Sequence, residues 1–270
     1  MAVIFLPKTF LIFIGFFSNG GLNYYKLKTE MMKNFIKLIF AVTILVLASC
    51  SPKFYTPNTQ NVPLLTEKGE TNLTLAGNTN QVEFQGAYAV TQHFALQANG
   101  GLFIPADLDN GNGGSGKFIE VGGGYFNPID EHWVFEAYGL IGIGNFENHF
   151  PSSLIDYPET TGDISANILR VGIQPNFGYK SKYFSAAIST RISNISYNNI
   201  QGSLVFDDDN QIDYLEDNSS NLLFEPALTV KGGIEKFKLQ LQYGYSFNLT
   251  NADFMQDESF FTVGINFNFN

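Results

Sequence analysis

From residue 70 to the C-terminus the chain alternates apolar and polar residues with a period of two, the mark of strands with two unlike faces. Phe237 to Leu249 shows it best. Phe237, Leu239, Leu241, Tyr243, Tyr245, Phe247 and Leu249 fall on one side, and Lys238, Gln240, Gln242, Gly244, Ser246 and Asn248 on the other. The last segment repeats it, with Phe261, Val263, Ile265, Phe267 and Phe269 against Thr262, Gly264, Asn266 and Asn268. Read throughout, the pattern predicts ten strands, at 70–76, 81–90, 93–104, 117–127, 132–146, 166–179, 182–196, 221–231, 236–249 and 259–269, with eight as the alternative count. No stretch beyond residue 50 has a helical period or a helix-capping pattern, so no helix is expected there.

The connections alternate in length. Short ones fall at Thr91-Gln92, 127–131, Lys180-Ser181 and 232–235; long polar ones span 105–116, 147–165, 197–220 and 250–258. Short turns at one end and long loops at the other are the pattern of an up-and-down outer-membrane barrel. The polar face supports this, because solvent-facing strand positions usually carry Lys, Glu and Thr. Here that face is mostly Gly, Ala, Ser, Asn and Gln, which suits the inner wall of a narrow barrel. The fold class expected is therefore all-β, an antiparallel up-and-down transmembrane β-barrel over residues 70–270. An even strand count places both barrel termini on the short-turn, periplasmic side. The alternative is a soluble periplasmic lipoprotein barrel, lipocalin-like, whose apolar face turns inward to bind an apolar ligand.

Residues 31–49 read as an export signal, with Lys33 and Lys37 ahead of the apolar run Leu38–Leu47. Leu47-Ala48-Ser49-Cys50 resembles a lipobox, which implies cleavage before Cys50 and lipidation of its sulfur; Cys50 is the only cysteine of the chain. Residues 1–30 precede a complete signal and read as a mis-started or extra segment. Residues 50–69, with Pro52, Pro57 and Pro63 among Asn and Thr, read as an extended lipidated tether in the periplasm, with no core of its own.

Together, the lipobox, the tether from Tyr55-Thr56-Pro57-Asn58 to Glu67-Lys68-Gly69-Glu70, the strand Gly122-Gly123-Gly124-Tyr125-Phe126 and the aromatic C-terminal strand resemble the small lipid-anchored outer-membrane barrel proteins of Bacteroidetes. Asn270 after Phe269 departs from the usual aromatic last residue of such barrels. The resemblance implies the outer membrane of a Gram-negative bacterium, with the N-terminus anchored in the periplasmic leaflet and the long loops extracellular. It implies as partners outer-membrane lipid, lipopolysaccharide, and the barrel-assembly and lipoprotein-sorting machineries. The role expected is structural, adhesive or that of a narrow pore.

Composition removes other classes. A net charge of −10 without a basic stripe argues against nucleic-acid binding. His93, His132 and His149 share no strand face, so no catalytic set and no cofactor is expected and the chain reads as a non-enzyme. The run Asp207-Asp208-Asp209 with Asp213 lacks the glycine of a calcium loop, leaving only loose divalent bridging as a metal reading. The lumen-facing charges are Glu83, Glu120, Glu136, Arg170, Arg191, Glu225, Lys231 and Lys238, four of each sign. Such balance is what a narrow lumen requires, because unpaired buried ions are costly. A two-residue turn at Lys180-Ser181 pairs Tyr179 with Lys182 and sets Arg170 opposite Arg191, bracketed by Glu136 and Glu225.

Overall fold

The computed structural model describes residues 52–104, 113–150 and 160–269. Residues 1–49 and Cys50, with the export signal and the lipobox, lie outside them. Seven strands follow one another as antiparallel neighbours: β1 (Thr71–Gly77), β2 (Gln81–Ala89), β3 (Phe94–Phe103), β4 (Gly113–Pro128), β5 (Trp133–Phe150), β6 (Gly162–Lys180) and β7 (Phe184–Gly202). A loop excursion holds the small hairpin β8 (Val205–Phe206) and β9 (Asp209–Asn210) and one helix, α1 (Gln211–Asp217). Then come β10 (Ser220–Ile234), β11 (Phe237–Tyr245), its continuation β12 (Phe247–Asn248), and β13 (Ser259–Phe269). β1 pairs with β13 from Thr71↔Phe269 to Gly77↔Val263, which closes a ten-stranded barrel without free edges.

The barrel is apolar outside and polar inside. Phe237, Leu239, Leu241 and Tyr243 are exposed, while Lys238, Gln240 and Gln242 between them are buried. Outward aromatics crowd the short-turn end at Tyr88, Phe94, Tyr125, Trp133, Phe177, Phe184, Phe237 and Phe267. Trp133 stacks on Phe177 with ring centroids 5.1 Å apart.

Three features differ from the sequence reading. First, β4 to β7 have 16, 18, 19 and 19 residues and stand far taller than β1, with seven, so residues 113–116, 147–150, 162–165 and 197–202 of the expected loops 105–116, 147–165 and 197–220 are strand. In these upper parts the alternation changes sense. Asn145, Glu147 and His149 point outward, while Phe150, Ile164, Ala166, Ile195 and Tyr197 point inward into an apolar core with Leu204, Leu215 and Phe254. Apolar-in, polar-out is the dress of a wall standing in water, so a search for apolar-out strands stops where the surroundings change. Second, α1 exists although no helix was expected; Asn210 caps it by accepting from the Ile212 N–H, and Leu215 is buried beneath it. At seven residues it is too short to show a period. Third, the turn between β6 and β7 is longer than two residues. Lys180 pairs with Ser185, so Arg170 stands opposite Ile195 and not Arg191. The slip is an even number of residues, which moves partners but keeps every side chain on its expected face.

Candidate functional site: a segment threaded through the lumen

Residues 52–69 are not a free tether. They run through the barrel from one end to the other. Phe54 lies at the long-loop end, where its N–H donates to the Met255 carbonyl and its ring packs on Phe146, Tyr214 and Phe254. At the short-turn end the Gly69 N–H donates to the Ala89 carbonyl, and Lys180 Nζ donates both to the Leu64 carbonyl, at 2.9 Å, and to Glu70. Phe54 and Leu65 are eleven residue steps apart, which at ~3.3 Å per extended residue reach at most about 36 Å. Residues 57–65 are buried throughout.

An extended segment without strand neighbours leaves its peptide groups unpaired, which is expensive away from water. The wall replaces the missing ladder with side chains. Of the acceptors, the Pro57 carbonyl takes a bond from Gln81, Asn58 from Arg191, Thr59 from Gln85, Gln60 from Gln242, Asn61 from Gln174 and Val62 from Lys231. Six consecutive carbonyls are thus served by six wall residues. Among the donors, the Thr59 N–H gives to Glu83 at 3.0 Å, the Gln60 N–H to Gln242 at 2.6 Å and the Leu65 N–H to Glu136 at 2.8 Å. The prolines lower the demand, since each lacks an N–H.

All eight charges expected in the lumen are buried there. Only two ion pairs form among them. Arg191 Nε meets Glu225 at 2.7 Å, directly across the β7–β10 register, and Arg170 Nη2 meets Glu120 at 2.8 Å. The second pair spans a strand: Glu120 is level with Gly142, and Gly142 with Arg170. A Cβ at residue 142 would lie 2.3 Å from the Phe118 ring, so the glycine keeps open the passage through which Arg170 reaches Glu120, its guanidinium 4.3 Å from that ring's centroid. The expected bracketing of a facing Arg170–Arg191 pair by Glu136 and Glu225 is therefore corrected: each arginine has its own carboxylate, and Glu136 serves Leu65, Asn176 and Tyr138. Lys231 is spent on Val62, and Lys238 Nζ reaches the Ser181 carbonyl at 3.4 Å.

Sequence reasoning missed the other half of this arrangement. Tyr55 OH donates to Glu225 at 2.7 Å and accepts from Arg170, joining the two ion pairs; Asn58 Oδ1 accepts from Arg170 as well. The segment is apolar at both ends, with Phe54 in the aromatic core above and Leu65 among Ala87, Phe126, Tyr138 and Leu140 below. The belt between is polar. Bulk at each end and hydrogen bonds along the middle hold it like a bolt with two heads. At the lower rim the Glu70 carboxyl lies below its ordinary pKa: burial pushes it up, but the Lys180 ammonium and bonds from Thr66 and Asn268 more than offset that.

Among the described residues no three His, Cys, Asp or Glu side chains converge as a metal would need, the run Asp207, Asp208, Asp209 and Asp213 included. His93 and His132 sit at the short-turn rim, His93 stacked on Tyr125 and His132 beside Tyr179, whereas His149 points outward on the upper wall of β5. The interior offers the reverse of an apolar ligand cup. At mid-height it is lined by amides, hydroxyls and charges and is occupied by the chain itself, while its apolar core lies at the long-loop end.

No family model matches the chain, and no curated protein does. Among solved structures it is similar to the outer membrane protease OmpT from Escherichia coli, at 8% identity and a TM-score of 0.42, over 75% of this chain and 94% of that one. It is also similar to the KdgM porin, at 7% identity and a TM-score of 0.33, over 74% and 99%. An outer membrane channel from Pseudomonas putida F1 aligns at 11% identity and a TM-score of 0.35, over 78% and 99%.

Proposed function

We propose that this protein is a lipid-anchored barrel of the outer membrane whose lumen is closed by its own N-terminal segment, and that its role is structural or adhesive. The observation that carries this is a barrel apolar outside and polar inside, with the polar interior spent on residues 54–65. A wall that exposes Leu239, Leu241, Ile141, Ile143, Val171 and Ile173 is costly in water and favourable in hydrocarbon. Above that band the wall turns hydrophilic outside, as a part standing clear of lipid requires. The lumen argues against an open pore: two ion pairs, Tyr55 and the amide belt occupy it at mid-height. The lipobox-like Leu47-Ala48-Ser49-Cys50 supports the anchor.

Fractionation tests the membrane reading. Cys50→Ala removes the lipid yet should leave the protein in the outer-membrane fraction, extractable only with detergent. Release of that variant into the soluble periplasm would instead favour the lipocalin-like alternative.

A further inference from the structure

The threaded segment has a direction, and its direction conflicts with an anchor in the periplasmic leaflet. Residues 53–56 are held at the long-loop end. Asn148 Nδ2 donates to the Lys53 carbonyl at 2.9 Å, the Phe54 N–H to the Met255 carbonyl at 2.8 Å, the Asp257 N–H to the Tyr55 carbonyl at 2.9 Å, and Thr56 Oγ1 to Asp257 at 2.7 Å. All of these partners lie in the upper wall of β5 or in the connection between β12 and β13. From there the segment descends past Glu83, Gln242 and Lys231 to Lys180 at the short turns. The barrel strands then begin at Thr71 on that lower side.

We infer that the chain enters the barrel from the long-loop side, so that the acyl group proposed on Cys50 anchors in the leaflet the long loops face. The inference rests on the lipidated-barrel reading above and adds a side to it. Covalent reach carries it to the cysteine. Cys50 is two residues before Pro52, and two residues extend about 7 Å at most, far short of the barrel's height. The polarity of the upper wall agrees, since outward Asn145, Glu147 and His149 place that end beyond the hydrocarbon. The partner surface is the outer leaflet. The barrel and its acyl chains then hold the same leaflet from two sides, and the periplasmic end carries only tight turns.

Cysteine labelling with a membrane-impermeant maleimide on intact cells tests this, with Cys50 retained. Lys53→Cys, Asp208→Cys and Ser181→Cys are compared singly. Lys53→Cys is expected to label together with Asp208→Cys, and Ser181→Cys only after lysis. If Lys53→Cys follows Ser181→Cys instead, the inference is overturned, whichever of the two ends faces outward. The unsubstituted chain separates this from the anchor itself: acylated Cys50 takes no label, and labelling of Cys50 would overturn the lipid reading while leaving the direction of threading in place. A second variant fixes the segment within the barrel. Thr59 Oγ1 and Thr262 Oγ1 are 3.1 Å apart, so Thr59→Cys/Thr262→Cys should form a disulfide that alters gel mobility of the folded protein. Two free, reactive thiols in that variant would show the segment outside the lumen and overturn the inference.

Discussion

The Glu225 carboxylate does two jobs, neutralising Arg191 and accepting from Tyr55 OH, and the backbone carbonyl of the same residue accepts from Gln60. Removing the carboxylate leaves Arg191 buried without a counter-charge, a loss of about 3–5 kcal/mol for a dry site. Glu225→Ala combined with Arg191→Ala should therefore cost less than the two single variants added, measured as urea unfolding of the barrel. The same cycle between Arg191 and Glu120 should show much weaker coupling, because Glu120 is bonded to Arg170. Glu70 predicts a pH effect. Its pKa is depressed in the folded state by Lys180, so its contribution is complete above the ordinary carboxyl value and is lost as pH falls through the folded value. Glu70→Gln should lower stability by about 1.5–3 kcal/mol near neutrality, the scale of a charged hydrogen bond. The difference should vanish in acid, which paired unfolding curves across pH would show. These residues differ in how legible they are. The eight lumen charges could be found because alternation fixes the face of each, and a register slip by an even number cannot change a face. Their partners could not be found, because pairing depends on turn length and on a segment that has no period.

At the scale of elements the same division holds. Strand existence followed from apolar-out alternation, and β11 and β13 fall close to the ranges expected for them. The upper reaches of β5, β6 and β7 were read as loops because their outward residues are polar: Glu147 and His149 on β5, Asp163 on β6, Asn198 on β7. Residues 54–65 were the hardest to place. A β-strand announces itself through its two faces, whereas this segment is surrounded on all sides, so every position is inward and nothing alternates. Its contacts lie 24 residues away at Glu83 and 182 away at Gln242, beyond any local signal. What the sequence did contain was an oddity in hindsight: an inner wall with more amides and charges than a narrow empty lumen could satisfy. Gln81, Gln85, Gln174 and Gln242 are surplus to barrel closure and necessary for a polypeptide inside it.

For the molecule as a whole, the filled lumen predicts electrical silence. Refolded into a planar bilayer, the intact chain should insert without raising the baseline current at moderate voltage. A steady open conductance would mean that the segment leaves the lumen in the membrane, and the structural or adhesive role would give way to a channel.

The seam between β1 and β13 also constrains how such a molecule can be made. A finished ring of ten strands is a poor entrance for a chain that must carry the Phe54 ring past the level of Glu225 and Arg170, where wall and segment side chains pack together. Connections that pass through closed rings are avoided by folding chains for this reason. A sheet that curls around polypeptide already lying on its inner surface avoids that passage, with the Thr71↔Phe269 pairing closing the ring around it. Barrel and segment then form a mechanical bond, a ring on an axle, in which the axle is the ring's own beginning. Pulling on the N-terminus from the long-loop end would draw Leu64 and Leu65 against the inner wall, so their packing and the bonds along residues 57–62 would bear the load.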